Sequence, residues 1–219
     1  MTHLKEPIKA SELRRGACPT LAKPMMTGDG LLSRVALEAE VSPDALVAIC
    51  AAALRHGNGL IDISARGNLQ ARGLTEESAR AFEAEMRALA LPLRAGIVVD
   101  TDPLAGLDPD EIEDPRPLAL AIRSEADAAG LADKVAAKTA IVVDGGGALS
   151  LGDLLADIRL TAIARNTWLL QTGGTAQSGA IHGTVTSQNA PRAALRLLLL
   201  LSQKGRLFRA RDFQPSEVQ

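Results

Sequence analysis

One segment of the chain alternates strictly between two residue classes, and it restricts the fold more than any other feature. Across residues 61–73 every odd-numbered position is apolar or glycine. Successive side chains of a β-strand point to opposite faces, so we predict one extended strand here. One face then carries Ile61, Ile63, Ala65, Leu69 and Ala71, and the other carries Asp62, Ser64, Arg66, Asn68, Gln70 and Arg72.

The polar face of this predicted strand has two interpretations. Alternation alone predicts the solvated side of a half-buried strand. The composition also favours a binding surface, because Arg66 and Arg72 offer guanidinium donors with the amides of Asn68 and Gln70 between them. Guanidinium groups bind carboxylates and phosphates through paired hydrogen bonds. An anionic ligand at this face is therefore a hypothesis.

Helical patterns flank the alternating segment. The sequence Ser42-Pro43-Asp44 is typical of a helix start, and Gly57 predicts the end of that helix. The apolar residues between them predict that Cys50 is buried in the core-facing stripe. Thr75 predicts the cap of a second helix that ends before Pro92. With a strand at residues 31–37 and a loop before Gly30, the order β-α-β-α predicts a ferredoxin-like half.

The second part of the chain also mixes strands and helices. Strands are predicted at residues 96–99, 139–143, 157–164 and 167–172, and helices at residues 116–129 and 189–205. Because they interleave without a strict repeat, we predict an α+β fold. The predicted domains are an N-terminal loop with the ferredoxin-like half-domain at residues 1–93, and an α+β repeat at residues 94–219.

Composition excludes several classes of protein. The formal net charge is -2, and three Phe and one Trp are the only aromatic residues, which argues against nucleic-acid binding. No apolar run reaches the length of a membrane span, and the first fifteen residues lack the apolar core of a signal peptide. We therefore expect a cytoplasmic protein with no membrane partner.

The residues that usually carry metal or nucleophilic chemistry are few. Cys18 and Cys50 cannot supply the four ligands of a metal site within one chain. His3, His56 and His182 lack metal-ligand spacing. The glycine triplet at residues 145–147 lacks the pattern of a phosphate-binding loop, so we interpret it as a tight turn. No catalytic residue is predicted.

Four motifs in order resemble the nitrite/sulphite reductase superfamily in its precorrin-3B synthase branch. They are MTGDGLLSR at residues 26–34, IDISARGNLQARG at 61–73, DPLAGLDPDEIEDPRPLA at 102–119, and KTAIVVDGGG at 138–147 followed by ADIRLTA at 156–162. The resemblance implies the N-terminal half of the family's architecture, a ferredoxin-like half-domain followed by one nitrite/sulphite reductase-type repeat.

The same resemblance implies a ligand and a set of binding residues. In the family, sirohaem lies between two such halves and basic side chains pair with its carboxylates. By motif position, the residues implied to bind a sirohaem or precorrin-type tetrapyrrole are Arg34, Arg66, Asn68, Gln70, Arg72 and Lys138. The pseudo-twofold arrangement of the family implies either a homodimer or a complementary C-terminal-half subunit.

The chain departs from the family at points that bear on function. Ile97 and Ala140 stand where the family has basic residues, and the cysteine pairs that bind a [4Fe–4S] cluster are absent. A [4Fe–4S] cluster is therefore not expected. Three readings follow: a tetrapyrrole-binding half of precorrin-3B synthase in aerobic cobalamin biosynthesis, a non-catalytic tetrapyrrole- or anion-binding or scaffolding module, or the fold without a ligand.

Overall fold

The structure, a computed structural model, describes residues 19–217 and divides the chain into two compact units. Unit 1 is Met1–Arg94 and unit 2 is Ala95–Gln219. Each unit has its own sheet, which confirms the predicted α+β class. Cys18 and His3 lie outside the described residues. No helix within residues 19–217 is long and apolar enough to cross a membrane.

Unit 1 is an antiparallel sheet with two helices against one of its faces. The elements are β1 (Met25–Thr27), β2 (Gly30–Val35), α1 (Pro43–His56), β3 (Ile61–Ile63), β4 (Leu69–Leu74) and α2 (Glu76–Ala88). The strand order is β1-β2-β4-β3, so the chain does not run through the sheet in sequence order. Strand β1 forms a hairpin with β2. The sequence predicted a loop at the residues that form β1.

Helix α1 has the predicted bounds but a different buried stripe. The Ser42 hydroxyl accepts a hydrogen bond from the Ala45 amide at 3.2 Å and caps the helix. Ile49, Ala52 and Ala53 are buried, whereas Cys50 is exposed, so the prediction of a buried Cys50 was wrong. The buried residues lie at i, i+3 and i+4 from Ile49, on one side of the helix. Cys50 is the next residue after Ile49, so its side chain points away from that side.

Helix α2 matches its prediction closely. Thr75 and Ser78 form a capping box, each side chain bonded to the other's backbone amide at 3.1 and 3.0 Å. Phe82 and Met86 are fully buried against the sheet. His56 at the end of α1 contacts Glu85 at 2.8 Å, and this hydrogen bond is the main cause of the lowered pKa of Glu85.

The prediction of one continuous strand across residues 61–73 was wrong, because the chain folds back on itself. Strands β3 and β4 pair antiparallel, and the Ser64 amide donates to the Asn68 carbonyl at 3.0 Å across the turn. Gly67 has φ +68°, which a glycine adopts without strain. The pairing joins Ile61 to Ala71 and Asp62 to Gln70, so odd and even residues still occupy separate faces.

Unit 2 contains a five-stranded sheet and two helices. The elements are β5 (Val98–Thr101), α3 (Arg116–Ala128), β6 (Ala140–Asp144), β7 (Ile158–Ala164), β8 (Thr167–Thr172), β9 (Ala180–Val185), α4 (Ala190–Lys204) and a short 3-10 helix at Ala210–Asp212. The strand order is β5-β6-β7-β8-β9, in which β5, β6 and β7 are parallel and β8 and β9 continue antiparallel. The sequence did not predict β9, whose residues are mostly exposed.

The core of unit 2 lies between its sheet and the helices α3 and α4. Trp168 is fully buried there, and its indole N–H donates to the Ser187 hydroxyl at 2.8 Å. After β6, the glycine triplet forms a loop around the Asp144 carboxylate. That carboxylate accepts from the Gly146 and Leu151 amides, each at 2.9 Å, so the loop is fixed from inside.

Candidate functional site

The polar face of the unit 1 sheet brings together residues from three strands. Arg34 on β2 and Asp62 on β3 both pair with Gln70 on β4, so these three side chains form a row across the sheet. Arg72 follows two residues after Gln70 and shares its face. The opposite face carries Val35, Leu69 and Ala71, which pack against the helices. We call the group of Arg34, Asp62, Gln70 and Arg72 the polar face.

Arg34 carries an unsatisfied donor on this face. Its Nε is buried and has no hydrogen-bond partner among residues 19–217. Leaving a buried donor unpaired costs about 1–3 kcal/mol, and more for charged groups. A bound acceptor would remove that cost, and a carboxylate oxygen suits a guanidinium N–H best. The unpaired guanidinium donor is therefore the feature of this face that favours an anionic partner.

Arg72 is held by two carboxylates of the protein. Its Nε and Nη2 donate to Asp29 at 2.9 and 2.7 Å, and its Nη1 donates to Asp62 at 2.6 Å. The hydrogen bond from Arg72 holds the pKa of the Asp29 carboxyl well below its usual range, and Asp29 in turn raises the pKa of Arg72. Asn58 also donates to Asp29, at 3.0 Å. Arg72 thus joins the β1–β2 turn to β3 and β4.

Arg66 and Asn68 lie in the turn between β3 and β4, away from the paired strands. Asn68 is buried, and its side-chain amide donates to the Ser64 hydroxyl at 3.2 Å while its backbone amide donates to the same oxygen at 3.1 Å. Asn68 therefore shapes the turn. Arg66 is half-buried at the tip of the hairpin.

Lys138 belongs to unit 2. It lies in the turn before β6 with an exposed side chain, and its carbonyl accepts from Nη2 of Arg209 at 3.1 Å. The same guanidinium binds the buried Asp157 at 2.8 and 2.9 Å. The structure therefore places Arg34, Gln70 and Arg72 on one face and Arg66 at the end of the same hairpin. Lys138 lies in unit 2, apart from these unit 1 residues in the sequence.

Sequence reasoning missed the acidic partners in this site. Asp29 is part of the motif at residues 26–34, but its pairing with Arg72 gave no signal, because Asp29 lies in a turn of a hairpin that was not predicted. Asp62 was placed on the correct face, and its contact with Arg72 follows from the unpredicted turn between β3 and β4. Within residues 19–217 no group of three or more His, Cys, Asp or Glu side chains is arranged to hold a metal ion.

The comparisons with known proteins agree with the motifs. Residues 23–89 match the nitrite/sulfite reductase ferredoxin-like half domain. A precorrin-3B synthase from a Sinorhizobium species is 41% identical over 212 residues, which are 95% of this chain. The chain is a homologue of precorrin-3B synthase. It spans 46% of the length of that relative, so it corresponds to about half of it.

A solved structure supports the fold independently. The NirA protein of Mycobacterium tuberculosis superposes with a TM-score of 0.58 at 19% identity, over 81% of this chain and 36% of that one. At this identity the similarity concerns the fold alone. Together with the family match, it confirms a nitrite/sulfite reductase ferredoxin-like half domain within an α+β chain.

Proposed function

We propose that this homologue supplies a tetrapyrrole-binding half of an oxidoreductase of the precorrin-3B synthase type, in aerobic cobalamin biosynthesis. The observation that carries the proposal is the buried Nε of Arg34, which has no hydrogen-bond partner in the described part of the chain and lies on a face that also presents Gln70. The 41% identity to a precorrin-3B synthase supports a polycarboxylate tetrapyrrole as the ligand.

Each of the implied residues has a distinct part in this proposal. Arg34 binds a peripheral carboxylate, Gln70 donates from the same row, and Arg66 contributes positive charge from the hairpin tip. Asn68 and Arg72 act on the ligand through the hairpin that they hold together. A sirohaem-type tetrapyrrole, when bound, would supply iron for redox chemistry. Lys138 belongs to unit 2, and its role in ligand binding stays a prediction from the resemblance.

An equilibrium titration with uroporphyrin, a polycarboxylate porphyrin, tests the binding residues. One charge-assisted hydrogen bond contributes about 1.5–3 kcal/mol, which corresponds to about tenfold or more in Kd. We expect Arg34→Gln and Arg66→Gln each to weaken binding by about that factor. Arg80→Gln, which removes an exposed arginine from α2, is the matched control and should leave Kd unchanged. Equal affinities for all four proteins would refute the proposed site.

A second function, a non-catalytic tetrapyrrole- or anion-binding or scaffolding module, is favoured by one observation. Ile97 and Ala140 are both 4% exposed, so the two positions where the family has basic residues are part of the core. To separate the two functions, this chain would be combined with a polypeptide that covers the rest of the relative's length. O₂-dependent conversion of precorrin-3A by the mixture supports the enzyme half. Tight binding without conversion supports the module.

A further inference from the structure

Unit 2 contains a cavity of about 670 Å³, at the end of β8 and the start of β9. This volume lies within the range of about 300–1,000 Å³ that is typical of small-molecule sites. Its apolar walls include Leu155, Ile181 and Phe213, and its polar lining includes Thr172, His182 and Arg211. The cavity belongs to unit 2 alone, so it is a different place from the polar face of unit 1.

The C-terminal wall of the cavity is fixed by hydrogen bonds and close packing. Asp157 is 2% exposed and accepts from Nε and Nη2 of Arg209 at 2.9 and 2.8 Å and from the Ala210 amide at 3.1 Å. Gly173 has φ +64°, and a Cβ there would lie 2.6 Å from the Cα of Arg211. Only glycine allows this approach, so the backbone of Arg211 is held at the rim.

Arg211 is the one cationic group among the residues that line the cavity in the described part of the chain, and none of them is acidic. Its side chain is 73% exposed, and its nearest carboxylate contact, from Nε to Asp212, is 3.8 Å long. That distance exceeds a direct hydrogen bond, so the guanidinium donors are available to a ligand. Arg209, two residues earlier, is instead fully engaged with Asp157.

His182 completes the polar lining without adding charge. Its Nε2 contacts the Thr172 hydroxyl at 2.7 Å, and burial lowers the pKa of the imidazole below its usual value. The ring is therefore neutral at pH 7 and offers hydrogen bonding only. Beside it, Leu155 and Ile181 are 66% and 65% exposed. A ligand with an apolar body would remove this apolar surface from water.

We infer that this cavity binds an organic carboxylate with an apolar body, with the carboxylate on Arg211 and the body against Leu155, Ile181 and Phe213. This ligand chemistry has two sources, a peripheral carboxylate of a tetrapyrrole or a free small carboxylate. The inference goes beyond the proposed function, because it concerns unit 2 and stands even if the polar face of unit 1 binds nothing.

An NMR titration that follows the imidazole signals of His182 tests the inference. The probe is 4-phenylbutyrate, and its neutral amide is the matched control ligand. We expect saturable shifts with 4-phenylbutyrate, and at least about tenfold weaker binding of the amide and of the carboxylate to Arg211→Gln. Arg206→Gln, in the same C-terminal segment, should behave as wild type. Arg211 is exposed enough for its replacement to leave the fold intact.

Competition with uroporphyrin then identifies the source of the carboxylate. Displacement of 4-phenylbutyrate from wild type assigns the cavity to a tetrapyrrole carboxylate, and binding without displacement assigns it to a small free carboxylate. Either result supports the inference. If 4-phenylbutyrate fails to shift His182, or binds Arg211→Gln as well as wild type, the inference is overturned. A failure of uroporphyrin at Arg34 and Arg66 alone would instead refute the proposed function.

Discussion

Replacing Asp157 with asparagine should destabilise unit 2 substantially. The carboxylate is 2% exposed and accepts four hydrogen bonds, two from Arg209 and one each from the Ala140 and Ala210 amides. Breaking a buried ion pair costs about 3–5 kcal/mol. The Arg209 side chain is 29% exposed and regains water, so we expect a loss of about 3 kcal/mol, at the lower end of that range.

Urea unfolding followed by tryptophan fluorescence measures this loss directly. Trp168 is the single tryptophan of the chain and is fully buried in unit 2, so its emission reports on that unit. With an m-value of about 2 kcal/mol/M, a loss of 3 kcal/mol lowers the urea midpoint by about 1.5 M. Asp212→Asn, an exposed substitution in the same segment, should shift the midpoint by less than about 0.3 M. If the two variants shift it equally, the proposed role of Asp157 is wrong.

Three further predictions concern pH and assembly. Burial raises the pKa of Asp102, and its Oδ2 has no hydrogen-bond partner among residues 19–217, so ionisation destabilises the fold as pH rises above about 4. Asp102→Asn should then raise the urea midpoint at pH 7 and lose that gain near pH 4; an equal gain at both would contradict this. Because the folded pKa of His182 lies below its unfolded value, stability should fall as pH drops through about 6.5. His182→Gln should make stability depend less on pH in this range. An unchanged dependence would show that His182 is not its cause. Val47 and Leu54 on α1 are 67% and 72% exposed, and such apolar surface favours self-association. We therefore predict that light scattering at tens of micromolar protein gives the mass of a dimer. A monomer mass in the absence of a partner subunit would refute self-association.

The sequence predicted the helices well because their signals are local. Ser42 and Thr75 mark helix starts through hydrogen bonds that span only three residues, and both caps are present. The buried stripe of α1 was predicted less well, because apolar residues such as Val47 and Leu54 also lie on the exposed side of that helix. Only packing against the sheet selects Ile49 over Cys50.

The candidate site was predicted in part, and the missing part depends on tertiary contacts. Alternation placed Gln70 and Arg72 on one face. The assignment is correct despite the turn, because even-numbered residues of β3 pair with even-numbered residues of β4. The turn itself depends on the Ser64–Asn68 hydrogen bonds, which alternation does not reveal. The contact from Arg72 to Asp29 joins residues far apart in sequence, so no local pattern indicates it.

The binding of a tetrapyrrole by the polar face of unit 1 and the neighbouring Arg66 is tested most directly at the arginine side chains themselves. Protein labelled with ¹⁵N-arginine would be titrated with uroporphyrin while the Nε–Hε NMR signals are recorded. We predict that the signals of Arg34 and Arg66 shift and saturate together, while the signal of Arg80 stays in place. Saturable binding that leaves both Arg34 and Arg66 unshifted would contradict the proposed tetrapyrrole site.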